Sequence, residues 1–160
     1  MKTKHGGWRE EYRQDEEHDA YALRKKPPEP TRCPGCGAVF TAGRWTWKAA
    51  PADAHELICP ACHRIRDRYP AGYVRLSGAF FDAHRDEILR LIRHCEEREK
   101  AEHPLERIMA IEDVDGGTQV TTTGIHLARV IGEAVQAAYK GDADFQYNRE
   151  DKLLRVNWSR

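Results

Sequence analysis

The feature that most constrains this chain is a pair of cysteine pairs. Cys33-Pro34-Gly35-Cys36 and Cys59-Pro60-Ala61-Cys62 form the pattern C-x2-C-x22-C-x2-C. Two residues between cysteines let a tight turn aim both sulfurs at one point, and Pro-Gly and Pro-Ala suit such a turn. Two turns supply four thiolates, the complete tetrahedron that zinc prefers. The middle spacing is slightly longer than the usual zinc-ribbon range. Four sulfurs leave no position open for water or substrate. The expected cofactor is therefore one structural Zn2+ on Cys33, Cys36, Cys59 and Cys62. A segment of about 45 residues buries little core, and a metal commonly makes up that deficit.

Other uses of the thiols stay in view. Cys33-Pro34-Gly35-Cys36 alone has the form of a redox pair, although the second matched pair weighs against it. An iron–sulfur cluster is the other metal reading. A zinc deaminase is not matched. Its H-x-E and P-C-x-x-C signature is absent, because His55 and Glu56 are adjacent and Pro60 follows Cys59. His55 and His63 are spare ligands that four thiols make unnecessary. Cys95 falls on an apolar helical stripe and reads as a small buried hydrophobe.

No run approaches the roughly 18 apolar residues of a membrane span. Met1-Lys2-Thr3-Lys4-His5 has no apolar stretch behind it. A cytoplasmic, reducing compartment is the expectation, which makes disulfides a poor use of the cysteines.

The 160 residues carry 26 Lys and Arg against 26 Asp and Glu, with a mean hydropathy of −0.78. That balance hides a division into three zones. Residues 1–30 hold seven basic and seven acidic residues, no Val, Ile or Phe, and a proline-rich end at Pro27-Pro28-Glu29-Pro30. This composition predicts a flexible N-terminal arm, in which Trp8, Tyr12, Tyr21 and Leu23 are the candidate anchors. Residues 31–75 have seven basic and three acidic residues, a net of +4, whereas residues 76–160 have twelve and sixteen, a net of −4. A basic module is joined to an acidic one.

The last zone reads as regular structure. Tyr73–Ser77 alternates as a strand. From Ala83 to about Lys100, Ile88, Leu91, Ile92 and Cys95 share one helical face. Leu105–Val114 and Thr118–Thr123 form strands around Asp115-Gly116-Gly117. A second helix spans about Ile125–Tyr139, with Ala128, Ile131, Val135 and Ala138 inward. Phe145–Tyr147 and Lys152–Trp158 form a final hairpin. The predicted class is α+β. A zinc ribbon over 31–70, with strands at Val39–Thr41 and Arg44–Trp47, precedes a ferredoxin-like βαββαβ domain with one extra strand over 71–160.

Within the ribbon, Arg44-Trp45-Thr46-Trp47-Lys48 interleaves cations and aromatics, and Arg64, Arg66 and Arg68 follow the second cysteine pair. Phosphates are neutralised by such cations, and unpaired bases stack on aromatic and guanidinium planes. Arg44, Trp47, Lys48, Arg64, Arg66 and Arg68 are the candidate nucleic-acid contacts; an acidic protein surface would attract the same charges. Thr121-Thr122-Thr123 before the second helix reads as a hydroxyl cap. His126 has no assignable nucleophile, and no GxxxxGK[ST] or GxGxxG occurs. A redox or hydrolytic use of the thiols or His126 is the weakest reading. No enzyme activity and no small-molecule substrate are expected.

Several segments together resemble a family of short, mostly uncharacterised bacterial zinc-ribbon proteins. They are Cys33–Phe40, Cys59–Asp67, Tyr69-Pro70-Ala71-Gly72-Tyr73, His103–Glu112, Thr121-Thr122-Thr123 and Ile125–Arg129. More distantly, paired knuckles before a small α/β unit are similar to the archaeal and eukaryotic adaptor for nuclear export of the large ribosomal subunit. That resemblance implies binding to the ribosome or ribosomal RNA without catalysis. The expected role is a ribosome-associated factor, in one form a stress-linked one. The alternative is an adaptor whose basic ribbon docks on an acidic protein.

Overall fold

The computed structural model describes Tyr21, Leu23 and residues 25–160. Most of the expected arm, including Trp8 and Tyr12, lies outside the described residues. The chain is a mixed α+β protein with two sheets.

The first sheet is small and built from very short strands. These are β1 (Thr31–Arg32), β2 (Val39–Thr41), β3 (Arg44–Thr46) and β4 (His55–Glu56), in the order β3-β2-β1-β4. The β2–β3 hairpin appears where expected, and its two turn residues, Ala42 and Gly43, both have positive φ. Such a turn matches the twist of the flanking strands. The sequence pattern did not reveal β1 and β4, since two residues carry no periodicity. Strand β3 also ends one residue before Trp47.

Helix α1 (Pro60–Asp67) follows and was not anticipated. Pro60 suits its first turn, where the missing N–H costs nothing. Cys59 caps it, its sulfur accepting from the Cys62 N–H at 3.3 Å. Arg68 closes it in the left-handed conformation, and Arg64 and Arg66 favour its C-terminal end.

The second sheet has five strands: β5 (Gly72–Ser77), β6 (Ile108–Val114), β7 (Gly117–Thr122), β8 (Asp142–Asn148) and β9 (Leu153–Ser159). Their order is β6-β7-β5-β9-β8. Strand β9, not β8, lies beside β5 and runs parallel to it. Alternation sends Val74, Leu76, Val120, Leu154, Val156 and Trp158 to one face, where they meet the helices in a dry core. The other face carries exposed polar residues such as Arg75, Gln146, Arg155 and Asn157, as one side of such a sheet commonly does.

Helices α2 (Ala79–Ala83), α3 (Arg85–Glu102) and α4 (Ile125–Tyr139) cover the apolar face. Helix α4 has the expected bounds, and α3 begins two residues later than expected. The buried stripe of α3 includes Ile88, Ile92 and Cys95 but takes Leu89 in preference to Leu91. That of α4 is turned toward Leu127 and Gly132, leaving Ala138 exposed. Periodicity alone does not fix which edge of each stripe meets the sheet. No helix among the described residues is long and apolar enough to cross a membrane.

Candidate metal centre

The cysteine pairs converge. Cys33 sits in the turn after β1, Cys36 three residues on, and Cys59 and Cys62 at the start of α1. The four sulfurs all lie within 4.8 Å of one another, and Cys36 and Cys59 are 3.8 Å apart. A tetrahedron with metal–sulfur bonds of about 2.3 Å has edges of about 3.8 Å, so the cluster has the size of a zinc tetrathiolate. Cys33 and Cys59 are fully buried. All five cysteines, Cys95 included, are free thiols.

Local hydrogen bonds favour negative sulfur, and burial opposes them. The Cys33 sulfur accepts from the Cys59 N–H at 3.3 Å, and the Cys36 sulfur from the Ala38 N–H at 3.5 Å. Gly35 has no room for a side chain, because a Cβ there would stand 3.0 Å from the Cys62 sulfur. Burial pushes the Cys33 thiol up. The backbone N–H groups of Cys59, Cys36 and Gly35 outweigh it and bring the group down to about 7. Burial dominates at Cys59 and Cys62 and holds both thiols above the ordinary range, against the pull of backbone donors and Arg107. Four closely packed thiols resist losing all their protons, and a bound cation removes that resistance.

The residue that completes the centre is Arg107, which lies in the His103–Glu112 segment but receives no role from the sequence. It lies in the loop between α3 and β6 and is 7% exposed. Its Nη2 donates to the Cys36 sulfur at 3.1 Å and the Cys59 sulfur at 3.3 Å, and its Nη1 to the Cys62 sulfur at 3.3 Å. Nε donates to the Pro104 carbonyl at 2.8 Å. Burial alone would lower its pKa, but the Cys62 bond and the sulfur charges of Cys59 and Cys36 prevail and raise it. Arg107 is a permanent cation facing the cluster from the other sheet's side of the chain.

Comparison with known protein families, curated proteins and solved structures finds no match.

The loop that carries Arg107 is held on every side, which explains why the expected strand Leu105–Val114 begins only at Ile108. The Thr123 hydroxyl donates to the Leu105 carbonyl at 2.6 Å and accepts from the Arg107 N–H at 2.9 Å. The Thr123 N–H donates back to the Arg107 carbonyl at 2.9 Å. The threonines therefore do not cap α4. Its N-cap is Gly124, and the Glu106 carboxylate accepts from the Leu127 N–H at 3.1 Å. A Cβ at Gly124 would collide with that carboxylate. Gly124→Ala is therefore expected to displace Glu106, uncap α4 and cost about 1 kcal/mol. A lowered urea midpoint at unchanged slope would show this, and an unchanged midpoint would refute it.

The other singled-out residues divide. Arg44, Trp47, Lys48, Arg66 and Arg68 are exposed. Arg64 is not: at 4% exposure its guanidinium donates to the Tyr69 carbonyl at 3.1 Å and lies 4.4 Å from the Tyr21 ring centre. Its position on the inner side of α1, unseen without that helix, turns it away from any outer ligand. Trp47 is partly committed as well. Its Nε1 donates to the Lys100 carbonyl at 2.6 Å at the end of α3, tying the small sheet to the large one. Tyr21 stacks on Tyr69 at 5.8 Å and its hydroxyl donates to Asp67 at 3.1 Å, so one expected arm anchor rests on α1 of its own chain. His126 pairs with Glu99 at 3.0 Å. His55 and His63 are not part of the four-residue metal group found among the described residues.

Proposed function

We propose that this chain is a non-catalytic zinc-ribbon protein that binds the ribosome or structured RNA. The cluster holds one structural Zn2+, and the small sheet with α1 is the ribbon that this ion stabilises. The larger unit is read as a ferredoxin-like βαββαβ arrangement in which the extra strand β9 lies between β5 and β8. The resemblance to the bacterial zinc-ribbon family belongs to the same reading.

The observation that carries it is the pairing of a closed centre with displayed charge. Four sulfurs and Arg107 surround the metal position, which leaves the ion nothing to do to a substrate. Arg44, Lys48, Arg66 and Arg68 stand exposed on the same small unit. Among the described residues only Arg66 of these four has a carboxylate partner, Asp67 at 3.5 Å. Exposed cations on a rigid base suit phosphate binding.

The test is co-sedimentation of the full chain with ribosomes. Binding should weaken as salt rises. Substituting Arg44, Lys48, Arg66 and Arg68 with glutamine should make the logarithmic salt dependence shallower by about one for each phosphate that is no longer neutralised. Absence of binding at low salt, or a quadruple variant that binds as wild type does, would remove the proposal. One observation favours a protein partner instead. Ile65 and Tyr69, on and just after α1, are 41% and 47% exposed among these cations, an apolar surface a protein would cover. RNase treatment separates the two readings, because only an RNA-dependent complex dissolves.

A further inference from the structure

The cysteines and the cation that faces them come from different halves of the chain. All four sulfurs belong to residues 33–62, whereas Arg107 belongs to the loop that leads into the five-stranded sheet. A tetrathiolate around a divalent ion carries two net negative charges. Burying such an ion is costly unless opposite charge and hydrogen-bond donors reach it. Arg107 supplies both, with N–H···S hydrogen bonds to Cys36, Cys59 and Cys62 and a full positive charge.

We propose that Arg107 is a positioning residue that makes metal occupancy control the docking of the two halves. The inference rests on the reading of the cluster as a zinc centre. With metal bound, the dianion holds the guanidinium. The guanidinium fixes the Pro104–Arg107 loop, and the loop fixes the first turn of α4 through Thr123 and Glu106. Without metal, nothing holds the four sulfurs at one point, so the three-sulfur cradle that the Arg107 guanidinium spans can open. Loop and helix start then loosen, while the β8–β9 hairpin, at the far edge of the sheet, keeps its pairing. Lys100 and Trp47 form another link between the halves. It does not depend on the charge of the sulfurs and should persist longer. Loss of metal would in this way be felt some distance from the ion, on the acidic half of the chain.

The experiment compares full-length wild type, Arg107→Met and Arg107→Lys. Each is loaded with zinc, and metal transfer to a coloured chelator is followed in time. Removal of such an outer partner typically weakens metal affinity by about 10–100-fold. Arg107→Met should release zinc faster by an amount of that order, and Arg107→Lys by less. With cobalt in place of zinc, the sulfur-to-metal charge-transfer band should move to lower energy in Arg107→Met, because the sulfur lone pairs lose a positive neighbour. A purely structural arginine would not move that band. Amide exchange over 104–108 and 123–128 should accelerate when wild type is stripped of metal, and also in zinc-loaded Arg107→Met, with 142–159 unaffected. Wild-type release rates and an unmoved band in Arg107→Met would overturn the proposal, as would exchange in stripped wild type identical to the loaded form. If wild type binds no zinc at all, the metal reading itself falls, and that result is visible before any variant is made.

Discussion

Cys59→Ser is expected to abolish metal retention and to unfold residues 31–68 while the five-stranded sheet stays folded. Serine keeps an oxygen able to accept from the Cys62 N–H, so a capping acceptor is retained and the effect isolates the lost thiolate. The small sheet has strands of only two or three residues, and the compact apolar group around its cysteines consists of Cys33, Cys59 and Ala61 with partly buried neighbours such as Trp45, Ile58 and Leu105. So little core cannot offset the ordering entropy of about 40 residues. Structural zinc commonly contributes about 10–16 kcal/mol to such units, which far exceeds anything the small sheet holds by itself. Elemental analysis should find one zinc per wild-type chain and none in the variant. Limited proteolysis should then cut within 31–68 and spare the β8–β9 hairpin, residues 142–159. A variant as protease-resistant as wild type would show that the small sheet stands without the ion.

Trp158→Ala is the second large effect, and it falls on the other half. The side chain is 1% exposed, faces Phe81 edge-on at 6.5 Å, and donates from Nε1 to the Lys140 carbonyl at 2.6 Å. Truncating a buried tryptophan costs about 3–5 kcal/mol, and here a carbonyl loses its donor as well. The thermal midpoint should fall by roughly 6–20 °C, with zinc content unchanged at one per chain. Trp158→Phe keeps most of the volume but also loses the hydrogen bond, so its decrease should be smaller than that of the alanine variant. A midpoint within 2 °C of wild type for the alanine variant, measured by calorimetry on the loaded protein (a shift of about 2 °C corresponds to about 0.5–1 kcal/mol), would contradict this placement of the core.

How much of the site the sequence disclosed depends on the range of the forces involved. The C-x2-C spacing is local chemistry, so Cys33, Cys36, Cys59 and Cys62 were legible from the chain alone. Arg107 was not, because one arginine among 26 basic residues carries no mark of facing a sulfur 45 positions away. The one signal was its setting, His103-Pro104-Leu105-Glu106-Arg107, a proline-bounded loop closely following a helix. Arg64 was misplaced for a related reason. Directly after the second cysteine pair it reads as a displayed cation, but α1 places it inward against Tyr21 and Tyr69.

The same division holds for the fold. Helix α4 and the β2–β3 and β6–β7 hairpins follow from repeats of 3.6 and 2 residues and from two-residue turns, patterns that adjacent residues impose on one another. Residue order was thus enough to specify the cysteine set, most of the regular elements and the split into a basic and an acidic half. Three-dimensional packing was needed to put β9 beside β5, to make Glu106 rather than a threonine the cap of α4, and to lend the acidic half's buried arginine to the basic half's thiols. Each of these depends on groups far apart in the chain meeting in space. Their free energy comes from burial and opposite charge at the meeting point, quantities that no local pattern of residues records.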